Sequence, residues 1–183
     1  MTDRRRFFKD IFSSITKAAA EFAYEISKTT DNVVFPPGSD NEDRFTALCE
    51  KCGKCVDKCK SGVLEKHKKL NPILLDIPVM NFDNNYCEQC YSCIEACPSN
   101  ALEKENLEKF KLVAKLLKDK CVAFKDMFCL SCYWSCPNID KAITLRDRNY
   151  PEFNPIECKG CGRCINSCPT EPKSIIMVKI KND

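Results

Sequence analysis

A chain of 183 residues with 44% hydrophobic content is long enough for one or two compact domains, and five Gly with ten Pro do not mark it as disordered. No apolar run nears the roughly 18–20 residues that cross a bilayer. Sixteen cysteines lie far outside ordinary usage, and the formal charge of +3 counts all of them as neutral.

Residues 1–30 hold no cysteine. From Arg6 to Ile26 the apolar positions Phe8, Ile11, Phe12, Ile15, Ala18, Ala19, Phe22, Ala23 and Ile26 recur at helical spacing. They predict an N-terminal amphipathic helix, with Asp3 as N-cap and a polar face of Lys9, Asp10, Ser13, Ser14, Lys17, Glu21 and Glu25. Residues 31–48 read as a linker: Pro36-Pro37-Gly38 makes a turn or extended stretch, the polar Ser39–Arg44 follows, and Phe45–Leu48 leads into the first cysteine. Residues 49–183 form the cysteine domain, one motif repeated four times.

The first group is Cys49, Cys52, Cys55 and Cys59; the second is Cys87, Cys90, Cys93 and Cys97, followed by Pro98. The third has Cys129, Cys132 and Cys136-Pro137, with Cys121 eight residues upstream of Cys129; the fourth is Cys158, Cys161, Cys164 and Cys168-Pro169. Groups two and four match the bacterial ferredoxin run C-x2-C-x2-C-x3-C-P. A cysteine at every third position wraps three thiolates around one face of a cubane. Gly53, Gly160 and Gly162 let the loop turn tightly, and the fourth cysteine is expected to open a short helix, with Pro suited to its first turn. Lys60 replaces that Pro in group one, which predicts a slightly different chain exit but no lost ligand.

Disulfide frameworks and zinc sites fit less well. The cysteines are too close within each group and too regularly copied for a stapled scaffold, and zinc does not need three cysteines at strict three-residue steps. Four sites use sixteen cysteines with none spare, which favours Cys121 as a ligand over a buried free thiol. Each [4Fe–4S] group held by four thiolates carries about −2, so four of them would bring the loaded chain to about −5. The basic balance is therefore not a nucleic-acid footprint.

In two-cluster ferredoxins the fourth cysteine of a run ligates the other cluster. Groups one and two can pair, with three and four pairing likewise; alternatively two and three pair inside a module made by one and four. Between the groups, Val79–Phe82 predicts a strand, and Ala142–Leu145, Arg146–Tyr150 and Phe153–Ile156 predict strand, turn and strand. Ser174–Ile180 is a β-rich tail. Glu103–Lys118 reads as a helix carrying Leu107, Phe110, Val113, Ala114 and Leu117, with a helical turn followed by a strand as the alternative. His67 reads as a solvated surface residue, Lys66–Lys69 as a solvated face, and Tyr91, Tyr133 and Trp134 as shields between clusters and water.

These residues resemble the ferredoxin-like proteins of the MauM/NapG type, which carry four [4Fe–4S] clusters. The resemblance rests on Arg4-Arg5-Arg6-Phe7-Phe8, on Pro36-Pro37-Gly38, and on Phe45-x-x-Leu48-Cys49-x-x-Cys52-Gly53-x-Cys55. It rests also on the long gap from Cys121 to Cys129 with the run through Ile143, and on Cys168-Pro169-Thr170-Glu171-Pro172-Lys173-Ser174-Ile175. It implies electron transfer in a respiratory system, between a membrane quinol oxidase and a terminal reductase, and all four ligand groups including Cys121.

The expected fold is α+β: two ferredoxin-like modules with four [4Fe–4S] motifs, preceded by the N-terminal helix. The expected function is a non-catalytic electron carrier. There is no dinucleotide fingerprint, P-loop or nucleophile–base pair. An enzyme subunit with chemistry at one modified cluster, or a redox or iron sensor, is the alternative. Arg4-Arg5 resembles a twin-arginine export signal, but Asp10, Lys17, Glu21 and Glu25 interrupt the apolar stretch such a signal needs. The expectation is therefore a cytoplasmic protein whose residues 7–26 dock on a partner or a membrane surface, with export to the periplasm as the alternative.

Overall fold

The computed structural model describes residues 33–39, 41–68, 73–107 and 110–181. The expected amphipathic helix lies outside the described residues. Among the described residues there are five short α-helices: α1 (Glu42–Leu48), α2 (Lys54–Asp57), α3 (Ser92–Glu95), α4 (Ser131–Ser135) and α5 (Arg163–Asn166). The strands are β1 (Leu64–Lys66), β2 (Pro78–Met80), β3 (Phe110–Leu116), β4 (Ile143–Arg146), β5 (Tyr150–Phe153) and β6 (Ile175–Lys181). They pair as three antiparallel two-stranded sheets, β1–β2, β3–β6 and β4–β5. Among the described residues no helix is long and apolar enough to cross a membrane.

Helices of four residues cannot stand alone, because nucleation costs more than one turn returns. Here α2, α3 and α5 are each launched by a residue in the left-handed region, namely Gly53 (φ 80°), Tyr91 (φ 58°) and Gly162 (φ 80°). Each also buries its central cysteine. The longer α1 has its own cap: Asn41 Oδ1 accepts from the Arg44 N–H at 2.9 Å, and Glu42 and Asp43 suit the positive end of the first turn.

The segment expected as a linker is part of the core. Phe45 is buried and its ring stands 5.2 Å from that of Phe35. Pro36 and Ser39 are also buried, and Pro37-Gly38 forms the expected turn. A Cβ on Gly38 (φ 86°) would meet the Glu103 carbonyl oxygen at 2.7 Å, so this turn is seated directly on the chain after group two. The Arg44 side chain reaches the same place, donating to the Asn100 carbonyl at 3.1 Å and pairing with Glu103. The Met80 N–H donates to the Val34 carbonyl at 2.7 Å, laying residues 33–35 beside β2. Burial of a large apolar side chain contributes about 1.5–3 kcal/mol, which is why the aromatic pair overrides the polar look of the segment.

Several local expectations are corrected. Glu103–Lys118 is not a helix: a 3-10 turn at Lys104–Asn106 is followed by β3, which pairs over seven positions with β6, from Phe110↔Lys181 to Leu116↔Ile175. Tertiary pairing with the apolar tail outweighs helical propensity here. The strand expected at Phe153–Ile156 starts earlier, at Tyr150, because Asp147 and Arg148 take left-handed φ values of 51° and 62° and turn the chain at once. Asn154 then ends it, its Oδ1 accepting from the Ile156 N–H at 3.0 Å. His67 is buried rather than solvated, since its backbone joins both sides of the β1–β2 connection, with its N–H on the Ile77 carbonyl and its carbonyl on the Asp76 N–H, each at 2.9 Å.

Candidate metal centres

Three of the four cysteine loops share one backbone conformation. Counting from the first cysteine, the second and fourth residues onward are left-handed in each: Lys51 and Gly53, Gln89 and Tyr91, Gly160 and Gly162. The glycines were legible as turning points, whereas the same turn made by lysine, glutamine and tyrosine was not. A non-glycine residue pays to hold positive φ, and all three lie between thiols whose spacing fixes the loop. Group three differs. Its loop has no left-handed residue between Cys129 and Cys136 and instead runs as α4, while Cys121 precedes a 3-10 turn at Val122–Phe124.

The fourth cysteine does not open a helix, as the motif suggested. The helix lies before it, and Cys59, Cys97 and Cys168 each donate their N–H back into that helix, to Val56, Ile94 and Ile165, at 3.1 Å. The exit at Lys60 is likewise the same turn as at Pro98, so the absent proline changes nothing visible. Once the helix has ended, the following residue needs only a turn conformation, which lysine adopts readily.

Helix α2 packs on α3, and α4 on α5. These contacts bring the fourth thiol of each group into the partner group's loop. One cavity is lined by Cys49, Cys52, Cys55 and Cys97 together with Phe45 and Leu102; this is site one. Another is lined by Cys136, Cys158, Cys161 and Cys164 together with Ile143 and Phe153; this is site four. Around Cys93 the neighbouring thiols include Cys87 and Cys59, which with Cys90 make site two. Around Cys132 they are Cys121, Cys129 and Cys168, which make site three. Of the two pairings open in sequence, the structure takes the sequential one. Cys121 is buried beside Cys132, inside the set.

The thiols are poised against ionising by themselves. Burial, then the like charges of Cys49 and Cys97, push Cys55 up to about 11. Burial followed by Cys87 takes Cys93 to about 12, and burial followed by Cys121, Cys129 and Cys168 takes Cys132 to about 12. Cys164 is raised further still, by burial and then by Cys158 and Cys161. Four mutually repelling sulfurs around an apolar cavity become stable as thiolates only with a positive core among them. The thiols line cavity walls, and among the described residues no three such side chains converge on a point fit for one metal ion. That donor chemistry fits a polynuclear iron–sulfur group.

Backbone donors are already aimed at these sulfurs. The Gln89 N–H lies 3.3 Å from Cys87 Sγ, and the N–H groups of Gly160 and Ala114 lie 3.5 and 3.4 Å from Cys158 Sγ. A Cβ on Gly160 would meet the Leu112 carbonyl oxygen at 2.4 Å, so β3 lies directly over this loop. Hydroxyls add to the set: Ser61 stands 3.5 Å from Cys59 Sγ, Ser99 3.7 Å from Cys97 Sγ, and Ser131 3.7 Å from Cys129 Sγ. The sequence reading missed these hydroxyls, although Ser or Thr two residues after a cysteine was there to be read.

The aromatic residues divide. Tyr133 is partly buried and its hydroxyl donates to Asp140 Oδ1 at 2.5 Å. Trp134 is 71% exposed, contrary to the shield expected of it. Phe128, beside Cys129, is 79% exposed.

Comparison with known proteins agrees with this chemistry. A 4Fe-4S dicluster domain profile matches residues 48–101, and a 4Fe-4S binding domain profile matches residues 158–171. The ferredoxin-type protein NapG of Escherichia coli is 30% identical over 94% of this chain and 84% of its own length. The ferredoxin-type protein NapF of the same organism is 30% identical over 78% of the chain and 84% of its own length. The methylamine utilization ferredoxin-type protein MauM of Methylorubrum extorquens is 30% identical over 82% of the chain and 74% of its own length. With four cysteine loops, paired as a dicluster protein pairs them, and this likeness over nearly its whole length, the chain belongs to the ferredoxin-type iron–sulfur proteins of the NapG, NapF and MauM family.

Proposed function

We propose that the protein is an electron carrier holding four [4Fe–4S] clusters in two ferredoxin-like modules, with the sixteen cysteines as the complete ligand set. The single observation that carries this is the sorting of the thiols into four quartets, each made of three cysteines from one stretch and one from another. A bound cluster supplies one-electron chemistry. The chain's own residues hold the thiols in place, aim N–H and hydroxyl donors at the sulfurs, and keep water from the apolar walls. Anaerobic reconstitution should give about sixteen iron and sixteen sulfide per chain, four of each per cubane. A plateau near twelve would remove one site.

The partners under this reading are redox proteins, a membrane quinol oxidase and a terminal reductase, in line with the family resemblance. We also infer a cytoplasmic location with residues 7–26 as the docking element, supported by the charges that break up the apolar stretch after Arg4-Arg5. Fractionation of cells expressing the native N-terminus tests the location, and periplasmic recovery that depends on Arg4 and Arg5 would overturn it. Membrane or partner association unchanged by deletion of residues 1–30 would exclude the docking role.

A further inference from the structure

We propose that electrons cross between the two halves of the molecule at one joint, from site two to site four, so that the four sites work in single file in the order one, two, four, three. This rests on the four-cluster reading above.

The loop of group two and the loop of group four lie against each other and run in opposite directions. At one end the Arg163 guanidinium sits over the Tyr86 ring, 4.1 Å from its centroid. Next, the Cys87 N–H donates to the Cys161 carbonyl at 2.7 Å. At the other end Gln89 Nε2 donates to the Lys159 carbonyl at 2.6 Å. Beneath them the Phe82 ring is pressed onto Gly162, where a Cβ would fall 2.0 Å from Phe82 Cδ1. Two of these residues, Cys87 and Cys161, are ligands in the sets of sites two and four. A single backbone hydrogen bond therefore connects one ligand residue of each half, with no intervening side chain.

The remaining steps of the file lie within the halves. Sites one and two meet where α2, which buries Cys55, packs on α3, which buries Cys93. Sites four and three meet through Cys164 and Cys132, and are tied by the Ser167 hydroxyl on Ser135 Oγ at 2.8 Å. One electron supplied by a reduced redox protein leaves site two oxidised and site four reduced by the same electron. No bond forms or breaks and no proton moves. The ends of the file are site one and site three, and beside site three Phe128 and Trp134 are exposed.

The test uses the full-length holo chain reduced with dithionite, with iron counted first. A wild-type count below about sixteen overturns the four-cluster reading and the joint with it; a full count with the wrong couplings overturns the joint alone. Signals of site four, the second half's member of the joint, are assigned by their loss in Cys158→Ala. Two variants then remove equivalent exposed thiols, Cys52→Ala in site one and Cys90→Ala in site two. The expected result is that Cys90→Ala abolishes the spin–spin broadening that the first half imposes on the second half's electron paramagnetic resonance signals, while Cys52→Ala leaves it. Equal effects, or no effect of Cys90→Ala, overturn the order. Where a cluster survives the missing thiol or a variant does not fold, Phe82→Ala combined with Gln89→Gly decides the matter, because it keeps every thiol and tolerates positive φ at residue 89. Loss of broadening between the halves at full iron content supports the joint, and unchanged broadening rejects it.

Discussion

The Ser174 hydroxyl lies 3.2 Å from Cys168 Sγ, in a position where Ser174 itself is buried. Thr170 Oγ1 stands at the same 3.2 Å and accepts from the Ser174 N–H at 2.8 Å, which leaves its own proton for the sulfur. Burial alone raises the Cys168 thiol, yet these two hydroxyls and the neighbouring backbone N–H groups outweigh it and hold the thiol below its ordinary value. Donors to a cluster sulfur favour the reduced, more negative state. Ser174→Ala should therefore lower the potential of one cluster and leave the other three in place. A hydrogen bond to a charged group contributes about 1.5–3 kcal/mol, and about 59 mV corresponds to a tenfold change for one electron, so the shift is at most roughly 130 mV. An anaerobic redox titration followed by electron paramagnetic resonance reads it directly. No shift, or an equal shift of all four, would show that the hydroxyl does not act on the site-three sulfur.

Cys121→Ala tests the one proposed ligand that stands apart from its group. Cys121 is buried beside Cys132, so its removal should bring iron from about sixteen to about twelve per chain, with a lesser effect on site one, in the other half of the molecule. Iron unchanged at about sixteen would mean that site three closes without this thiol.

Gly162→Ala and Gly62→Ala make a matched pair. Both residues have positive φ, 80° and 68°. At Gly62 a Cβ meets only Asn85 Nδ2 at 3.6 Å, an ordinary contact, and the cost should be that of the left-handed backbone, about 1–2 kcal/mol. At Gly162 the new carbon collides with Phe82 at 2.0 Å, and overpacking adds about 1–3 kcal/mol more. Denaturation of the holo protein compares them, and equal destabilisation would contradict the packing described for Phe82.

Cluster loading should depend on pH with a definite sign. Cys55, Cys93 and Cys132 are raised from an ordinary 9.0 to about 11, 12 and 12, so near neutrality these thiols hold their protons more tightly than free cysteine. Ligation must remove those protons, so the free energy of loading becomes more favourable as pH rises toward and through these values and less favourable as it falls. Reconstitution in weak buffer should release protons, and loading at pH 8.5 should run to completion at iron concentrations where loading at pH 6.5 does not. Equal loading at both values would show that ligation displaces no protons from these thiols in this range, contrary to the prediction.

What the sequence disclosed was the part of the architecture written in short repeats. The cysteine spacing places the loops, and the count of sixteen brings in Cys121. Much of the rest was hidden because it depends on long-range contact. Phe45 looked like the end of a linker until Phe35 was set against it. Val113 and Ala114 suggested a helix because their partners, Val178 and Met177, lie more than sixty residues away. The pairing of groups one and two was undecidable from spacing alone, since either scheme satisfies every local rule. It is fixed by α2 packing on α3. Lys51, Gln89 and Tyr91 concealed the loop conformation, for nothing in a lysine announces positive φ.

The exchange of fourth cysteines also sets a timetable. As the chain leaves the ribosome, residues up to Cys59 cannot complete any site, because site one lacks Cys97 and site two lacks its loop. Site two closes when Cys93 emerges and site one four residues later, at Cys97. Nothing more can close until Cys164 completes site four and Cys168 completes site three, again four residues apart. If all four sites are filled, maturation comes in two bursts separated by the synthesis of most of the second half, and β3 waits for β6, the last of the described strands, before it is covered. On the four-cluster reading, a machinery that delivers iron and sulfide to this nascent protein would meet two short windows, each demanding a pair of clusters at once.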